Sequence, residues 1–444
     1  MNIGILGGGG IRSPIIIRML SDFNFGEALE EVRVYDIDAR KTDAILKLAS
    51  AIISKSGKKI DLIKCSSIEE FSDNLDAVVF TIREGFEEGR AIDERICLRY
   101  NIIGQETTGA AGFSFAARSI PSLISYSEEI RKRSPNCILI NFTNPAGIVV
   151  RALNIAGFED VIGICDSADA CRIYASEFLK RDRFSFESEI VGLNHLSWTT
   201  RLLSDSRDIL PELIMSEEFY NIAHGPFERS IFVKDGLFKN EYLYYYYCSQ
   251  DALKGMMSEA ETRGEYLLRV NRELVENLLK EENPERLIQI YEKYLNNRFE
   301  TYMSYAYHNI KRRVVENESE GYAEVALRII SAIREKKDLN IPMILPNKGT
   351  LNFLPDEYVV EKFCYIRGGS INSKQIEFEL PESVIETVKR VAEYENVAAQ
   401  AILNKSLTLA EKALSVHPLI GERVAGKILK EFLCVHSKYF SGYK

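Results

Sequence analysis

Two short segments of this chain combine residue types that can bind a metal ion. Cys165 ends the apolar run DVIGIC at 160–165, Asp166 follows it, and His195 lies in VGLNHLSW at 191–198. A thiolate and an imidazole are both ligands for zinc and other divalent transition metals. Taken alone, Cys165 is more typical of a buried core thiol, and His195 of a hydrogen-bonded core histidine. A metal site therefore requires a fold that brings the two together.

A second group of residues is suited to binding a dinucleotide. The glycine-rich ILGGGGIRSP at 5–14 follows a strand-like segment and precedes one with helical spacing, where backbone N–H groups can bind pyrophosphate. Two of its glycines fit the dinucleotide fingerprint, but Arg12 stands where its third glycine would be. An acid at the end of the second strand suits a ribose and disfavours a 2′-phosphate. Although a flexible turn is the alternative, we predict an NAD site at Gly7, Gly8, Gly9, Gly10 and Asp36.

The elements that must position these residues change character near residue 190. Before it, continuous apolar segments alternate with helical stretches, which predicts an α/β fold with a doubly wound parallel sheet. After it, 240–335 reads as helical, 341–376 as extended and 381–440 as helical again. We therefore expect a Rossmann-like NAD-binding domain over 1–190 and a C-terminal mixed α+β domain over 191–444, which would carry substrate, metal and subunit contacts.

Composition narrows the class of protein. The 444 residues carry a net charge of −9, which argues against nucleic-acid binding, and basic runs are short. Met1 leads straight into apolar residues without a signal-like pattern, and no apolar run is long enough to span a bilayer. The eight cysteines are scattered with no CxxC pair, so we expect reduced thiols and a cytoplasmic protein without membrane or nucleic-acid partners.

Several segments in order resemble glycoside hydrolase family 4, the NAD- and divalent-metal-dependent phosphoglycosidases. They are TIREGFEEGR at 81–90, GQET at 104–107, LINFTNPAG at 139–147, GICD at 163–166, GLNHLSW at 192–198, NEYLYYYY at 240–247 and LPNKGTLNFLPDEYVVEKFCYI at 345–366. The likeness covers nearly the whole chain and implies a lactate/malate dehydrogenase-like sheet. It also implies a reaction in which NAD⁺ oxidises C3 of the sugar, a base removes the C2 proton, the C1 group is eliminated and water adds before C3 is reduced again.

The resemblance assigns roles to individual residues. Cys165 and His195 match the metal ligands, with Mn²⁺ as the implied ion, although other divalent metals suit the same donors. Tyr242 matches the base that removes the C2 proton. Asp166 matches an acid that protonates the leaving oxygen in the α-type members, whereas β-type members more usually carry Asn there; a helix N-cap is the alternative role.

Further residues match substrate contacts of the family. Arg83 and Arg263 match arginines that bind the sugar 6-phosphate through paired hydrogen bonds. Glu84 beside Arg83 departs from the family pattern, so unphosphorylated sugars and uronides remain open. The other matches are Asn144, Gln105 and Glu106.

The resemblance thus implies an enzyme that hydrolyses 6-phospho-β-glucosides and that forms homodimers or homotetramers. Three alternatives stay open at this point. One is a relative acting on α-phosphoglycosides, unphosphorylated glycosides or uronides. The second is an NAD-dependent 2-hydroxyacid dehydrogenase, and the third is a catalytically silent NAD-binding regulator.

Overall fold

The computed structural model describes residues 1–307, 321–376 and 378–444. The strands are β1 (Asn2–Leu6), β2 (Glu31–Tyr35), β3 (Asp61–Lys64), β4 (Ala77–Phe80), β5 (Ile138–Asn141), β6 (Ile162–Gly163), β7 (Phe186–Leu193), β8 (Leu196–Ser204), β9 (Arg207–Asp208), β10 (Phe238–Lys239), β11 (Leu339–Pro346), β12 (Val359–Arg367) and β13 (Ser370–Ser373).

The helices in the first half of the chain are α1 (Ser13–Asp22), α2 (Ala39–Ser56), α3 (Ile68–Ser72), α4 (Phe86–Arg99), α5 (Ala110–Arg133), α6 (Ala146–Ile155), α7 (Ala170–Leu179), α8 (Leu210–Met215) and α9 (Glu217–Ala223). Those in the second half are α10 (Arg229–Phe232), α11 (Tyr244–Tyr247), α12 (Ser249–Ser258), α13 (Arg263–Lys280), α14 (Pro284–Glu300), α15 (Gly321–Arg334), α16 (Glu382–Asn404), α17 (Leu407–Val416) and α18 (Glu422–Val435).

The large sheet contains a dinucleotide-binding core. Its first six strands lie in the order β3-β2-β1-β4-β5-β6 and pair in parallel, which is the strand order of Rossmann folds. Neighbouring residues on the strands face opposite sides, and both sides are buried: Ile5 and Val79 pack in one apolar cluster, while Leu6 and Phe80 pack in another. The predicted Rossmann-like α/β fold is confirmed.

The same sheet extends beyond this core with strands from the second half of the chain. β11 pairs antiparallel with β6, and β12 and β13 continue the edge antiparallel, which gives a sheet of nine strands within the described residues. At the junction, Gly163 allows close approach, because a Cβ there would lie 2.8 Å from Ile344. The extended segments expected over 341–376 therefore complete the N-terminal sheet, and the domain boundary near residue 190 stays a prediction.

A smaller antiparallel sheet holds the segment with the candidate histidine. β7 and β8 form a hairpin whose last pair is Leu193 with Leu196, and β10 pairs with β8. The turn between β7 and β8 consists of two residues, Asn194 and His195. In the part of the chain that the structure describes, no helix is both long and apolar enough to cross a bilayer.

Candidate active site

The candidate residues gather where the parallel strands end. Gly7, Asp36, Asn144 and Cys165 follow β1, β2, β5 and β6, whose carboxyl ends meet at one edge of the sheet. Two neighbouring cavities of about 220 Å³ and about 150 Å³ open there. We name them the sugar cavity and the dinucleotide cavity, after the ligands that the resemblance implies. Both are lined by Ile11, Arg12, Arg90, Glu106, Phe142, Asn144 and Arg298.

The dinucleotide cavity is built on the glycine-rich turn. Gly7, with φ of +85°, lies so close to the segment that follows β4 that a Cβ would be 2.8 Å from the Ile82 nitrogen. Gly9 donates its N–H to the Asp36 carboxylate at 3.0 Å, and burial raises the pKa of that carboxyl. Gly10 also lines the cavity, whereas Gly8 packs against Val34. A glycine cradle with an acid at the second strand end fits a dinucleotide.

Cys165 and His195 lie side by side in the sugar cavity. The Cys165 Sγ is 3.5 Å from the His195 Nε2, while the Thr107 hydroxyl lies 2.8 Å from the other ring nitrogen, Nδ1. Thiolate and imidazole ligands sit at about 2.3 Å and about 2.0 Å from an ion such as zinc, so donors 3.5 Å apart can share one ion. His195 is at the turn of the β7–β8 hairpin with φ of +62°, an uncommon conformation for a residue with a Cβ.

Burial controls the ionisation of both donors. It lowers the pKa of His195 to about 3, so the imidazole is neutral at pH 7 and has a lone pair for a metal. It raises the pKa of the Cys165 thiol, with Asp166 adding to the effect, so the thiol needs a nearby cation to ionise. Among the described residues, no group of three His, Cys, Asp or Glu side chains could hold an ion. A two-ligand site leaves positions for substrate, as catalytic sites require.

Tyr242 and Asp166 lie beside this pair. The Tyr242 ring stacks on His195, with centroids 3.7 Å apart and planes 9° from parallel. Burial raises the pKa of its phenol well above the ordinary value, and Tyr302 adds to the increase. Asp166 lines the sugar cavity just before a short 3₁₀ segment, and within the described chain its side chain makes no capping hydrogen bond. The N-cap role considered for Asp166 is therefore absent.

Several arginines line the two cavities. Arg263 lines the sugar cavity together with Arg90 and Arg298, and burial with these two neighbours lowers its pKa to about 10. Arg83 lines the dinucleotide cavity and, like Arg90, pairs with Glu106 at 2.7 Å. Although burial disfavours its charge, these arginines hold the pKa of Glu106 well below the ordinary value. The two arginines suggested by the sequence thus line different cavities.

The remaining substrate candidates have distinct environments. Asn144 lines both cavities, at a cis bond to Pro145. Gln105 lines the sugar cavity, and its side-chain oxygen accepts hydrogen bonds from the backbone N–H of Thr107 and of Thr108, each at 2.7 Å. Gln105 therefore organises the loop that carries the partner of His195.

Glu84 lines the dinucleotide cavity, where it accepts a hydrogen bond from Ser122 at 2.8 Å. It is not among the residues that line the sugar cavity within the described chain. Glu84, which departs from the family pattern, therefore lies on the dinucleotide side of the site.

Sequence reasoning missed three residues of this site: Thr107, Arg90 and Arg298. Thr107 belongs to the GQET segment, but its contact with His195 bridges 88 positions. Arg90 and Arg298 lie on amphipathic helices, α4 and α14, where a charged residue usually faces solvent. The one sequence signal for Arg90 was its position at the end of the TIREGFEEGR segment that carries the resemblance.

Comparison with known protein families gives two adjoining matches. Residues 2–180 match the model of family 4 glycosyl hydrolases, and residues 190–420 match that of the family 4 glycosyl hydrolase C-terminal domain.

Similar proteins cover the whole chain. The 6-phospho-beta-glucosidase BglT of Thermotoga maritima is 30% identical, over 99% of both chains. A structure of the Thermotoga maritima 6-phospho-beta glucosidase with manganese, NAD⁺ and glucose-6-phosphate superposes with a TM-score of 0.82, covering 99% of each chain at 26% identity. The phospho-alpha-glucosidase PagL of Clostridium acetobutylicum is 24% identical, over 99% of this chain and 98% of its own.

Proposed function

The chain belongs to glycosyl hydrolase family 4, and from this premise we propose that it hydrolyses 6-phospho-β-glucosides with NAD⁺ and a divalent ion such as Mn²⁺. The observation that carries the proposal is the placement of Cys165, His195 and Tyr242 in one cavity next to the glycine-rich dinucleotide cavity. The structure of a relative with manganese, NAD⁺ and glucose-6-phosphate supports the same cofactors here.

Two groups of residues would hold the cofactors. Gly7, Gly9 and Asp36 would hold the dinucleotide, and Cys165 with His195 would hold the ion. When bound, the dinucleotide supplies reversible oxidation at C3, and the ion supplies positive charge that stabilises an enolate and the Tyr242 phenolate.

Two residues of the chain would then handle protons. Tyr242 removes the C2 proton, which we infer because its ring lies against His195 and Tyr242 lines the sugar cavity. Asp166 protonates the leaving oxygen at C1, which we infer from its cavity position and from its freedom from a capping role.

The phosphate of the substrate would bind at the arginine side of the sugar cavity. Arg263, Arg90 and Arg298 bring three positive charges together. Among the residues that the structure describes, Arg90 is the only one of the three that forms ion pairs, with Glu94 and Glu106. A phosphate dianion would balance the remaining charge and restore the pKa of Arg263 toward its ordinary value. Arg83, paired with Glu106, would act at the boundary with the dinucleotide.

The β-anomer is preferred because the β-specific relative is 30% identical over the whole chain, against 24% for the α-specific one. Asp166 is the feature that favours the α-type, so an α-phosphoglycosidase is the second candidate.

The test is hydrolysis of p-nitrophenyl α- and β-glucoside 6-phosphates, and of their unphosphorylated forms, with and without NAD⁺, Mn²⁺ and reductant. We expect release of nitrophenol from the β-phosphate only when NAD⁺ and Mn²⁺ are both present, with no net NADH. Faster release from the α-phosphate would reverse the anomer assignment, and equal rates without phosphate would remove the phosphate assignment. Stoichiometric NADH from a 2-hydroxyacid without metal would instead identify a dehydrogenase.

A further inference from the structure

Four polar side chains are buried next to His195 and Tyr242: Asn194, Ser197, Asn240 and Glu361. None is more than 9% exposed, and of the four only Asn240 is among the residues that line the sugar cavity in the described chain. Burial of a carboxyl and three polar side chains costs free energy unless each finds partners. Their contacts therefore show what this group holds in place.

Glu361, on β12, is bound to both sides of the turn that carries His195. One carboxylate oxygen accepts a hydrogen bond from the Ser197 hydroxyl at 2.5 Å, and the other accepts one from the Asn194 amide at 3.3 Å. Asn194 precedes His195, and Ser197 follows it by two residues on β8. Strand β12 is therefore hydrogen-bonded to residues on both sides of His195 through Glu361.

Asn240 connects this group to Tyr242. Its amide donates to the Ser197 carbonyl at 2.9 Å and lies 3.2 Å from the Ser197 hydroxyl. Its side-chain oxygen accepts the backbone N–H of Tyr242 at 3.0 Å, which caps the 3₁₀ turn at Glu241–Leu243. Ser197 therefore joins the segment of His195 to the segment of Tyr242.

We propose that Glu361, Ser197 and Asn240 form a positioning network that sets His195 and Tyr242 relative to each other, an inference that rests on the proposed function of these two residues. The network has two arms. Asn194 links Glu361 to the metal-ligand candidate, and Asn240 links Ser197 to the base candidate.

The geometry of the site explains why such a network is needed. His195 occupies the left-handed region at φ of +62°, which costs free energy and persists only where the surroundings hold it. Tyr242 must present its hydroxyl to the sugar from a ring stacked at 3.7 Å on that same histidine. His195 and Tyr242 lie 47 positions apart in the chain, on separate elements. Buried side chains that hydrogen-bond to both segments can fix the position of one relative to the other.

Two variants test the network, Glu361→Gln at the acid and Ser197→Ala at the residue that joins the two segments. Glutamine keeps the shape but replaces one acceptor oxygen with an NH2 donor, so the two hydrogen bonds that Glu361 accepts from Asn194 and Ser197 cannot both be kept as they stand. We expect a loss of about 10–100-fold in the affinity for Co²⁺, titrated alone and followed by absorption of the thiolate complex. Ser197→Ala removes the hydroxyl that joins Glu361 to Asn240 and leaves only the bond from Asn240 to the backbone carbonyl of residue 197. We expect kcat to fall about 10–100-fold while KM changes little.

A specific kinetic readout separates positioning from general loosening. If Tyr242 is misplaced, removal of the C2 proton slows relative to the other steps. The primary isotope effect with substrate deuterated at C2 should then rise in Ser197→Ala, and that with substrate deuterated at C3 should not. The matched control is Ser119→Ala, which removes an equally buried hydroxyl from α5, outside the site. It should bind Co²⁺ and turn over within about 2-fold of the unmodified enzyme.

The two proposals fail in different ways. If the unmodified enzyme shows no NAD⁺-dependent hydrolysis, the proposed function is wrong, and the Co²⁺ titration of Glu361→Gln still tests the network. Unchanged Co²⁺ affinity in Glu361→Gln overturns the network, and so does a Ser197→Ala enzyme whose C2 isotope effect equals that of Ser119→Ala.

Discussion

Both ring nitrogens and one ring face of His195 are in contact with other side chains. Thr107 lies on Nδ1, Cys165 lies 3.5 Å from Nε2, and Tyr242 covers the ring face. A partner on one imidazole nitrogen fixes the orientation and tautomer that the other offers to a metal. The turn conformation at His195 is then a cost that these contacts compensate.

We predict that Cys165→Ser and His195→Ala each abolish metal-dependent turnover while NAD⁺ binds normally. Either change removes one of two protein ligands, whereas the dinucleotide cavity is lined by other residues. Electron paramagnetic resonance of Mn²⁺ measures the first effect, and calorimetry with NAD⁺ measures the second.

The control for Cys165→Ser is Cys171→Ser. Cys171 is a thiol of the apolar core at 1% exposure and is absent from the residues that line either cavity in the described chain. It should retain Mn²⁺ binding. Equal Mn²⁺ affinity in Cys165→Ser and the unmodified enzyme would show that Cys165 is no ligand.

For individual residues, the sequence predicted those that belong to recognisable segments and missed those whose role depends on contacts between distant segments. Cys165, His195 and Tyr242 were identified by resemblance, and the structure brings them together. Glu361 and Arg298 could not be assigned, because their contacts join segments more than 100 residues apart or depend on which helix face is buried.

Among the elements, α13 delivers Arg263 to the sugar cavity at its first residue. Thr262 accepts the backbone N–H of Glu265 at 3.2 Å, and Glu265 accepts the N–H of Thr262 at 2.8 Å, which together form a capping box. The cap therefore fixes the start of the helix where the arginine leaves it.

We predict that Thr262→Ala lowers the free energy of unfolding by about 1 kcal/mol, the usual cost of a lost N-cap, and raises KM for the phosphorylated substrate more than it lowers kcat. Urea unfolding and steady-state kinetics measure the two effects. Ser406→Ala is the matched control, since Ser406 caps α17 by accepting the Leu409 N–H at 3.3 Å. It should be destabilised similarly with unchanged KM. A KM increase of the same size in both variants would mean that the effect is not local to Arg263.

The same contrast between local and distant signals holds for the elements. The strands β1, β2, β4 and β5 are short, largely apolar runs that alternate with helical segments, so their type and parallel pairing were predictable. The antiparallel addition of β11–β13 to the same sheet was not. Extended segments at 341–376 carry no local mark that tells which sheet edge they join, and here the edge is β6, about 180 residues earlier in the chain.

At the scale of the whole molecule, the C-terminal half contributes buried acids to the core behind the site. Glu395 on α16 lies against Gly147 at the start of α6, since a Cβ on that glycine would be 2.3 Å from its carboxylate. Burial, with Glu361 nearby, raises the pKa of Glu395 to about 8, and its neighbours Tyr246 and Tyr394 carry no charge at neutral pH. Glu395 is therefore protonated in the folded protein at pH 7.

This ionisation makes stability depend on pH. Between the ordinary carboxyl pKa of 4.5 and about 8, the unfolded chain loses the Glu395 proton and the folded protein keeps it. The contribution of Glu395 to stability should therefore decline by roughly 1.4 kcal/mol per pH unit across this window. We predict that Glu395→Gln, which resembles the protonated acid, unfolds at higher temperature than the unmodified protein at pH 8.5 and differs little at pH 5. Calorimetric scans at the two pH values give the comparison, and a parallel pH dependence in both proteins would exclude a buried neutral Glu395.

The central claim is that Tyr242 abstracts the C2 proton in a reaction that also requires NAD⁺. Turnover of the 6-phospho-β-glucoside in D₂O, followed by nuclear magnetic resonance of the product sugar, tests it directly. We predict deuterium at C2 of the glucose 6-phosphate, because the base exchanges its proton with solvent before C2 is reprotonated. Tyr242→Phe should be about 10²–10⁴-fold slower and still bind NAD⁺ and Mn²⁺. A product without deuterium at C2, formed by an enzyme that still needs NAD⁺, would contradict the account.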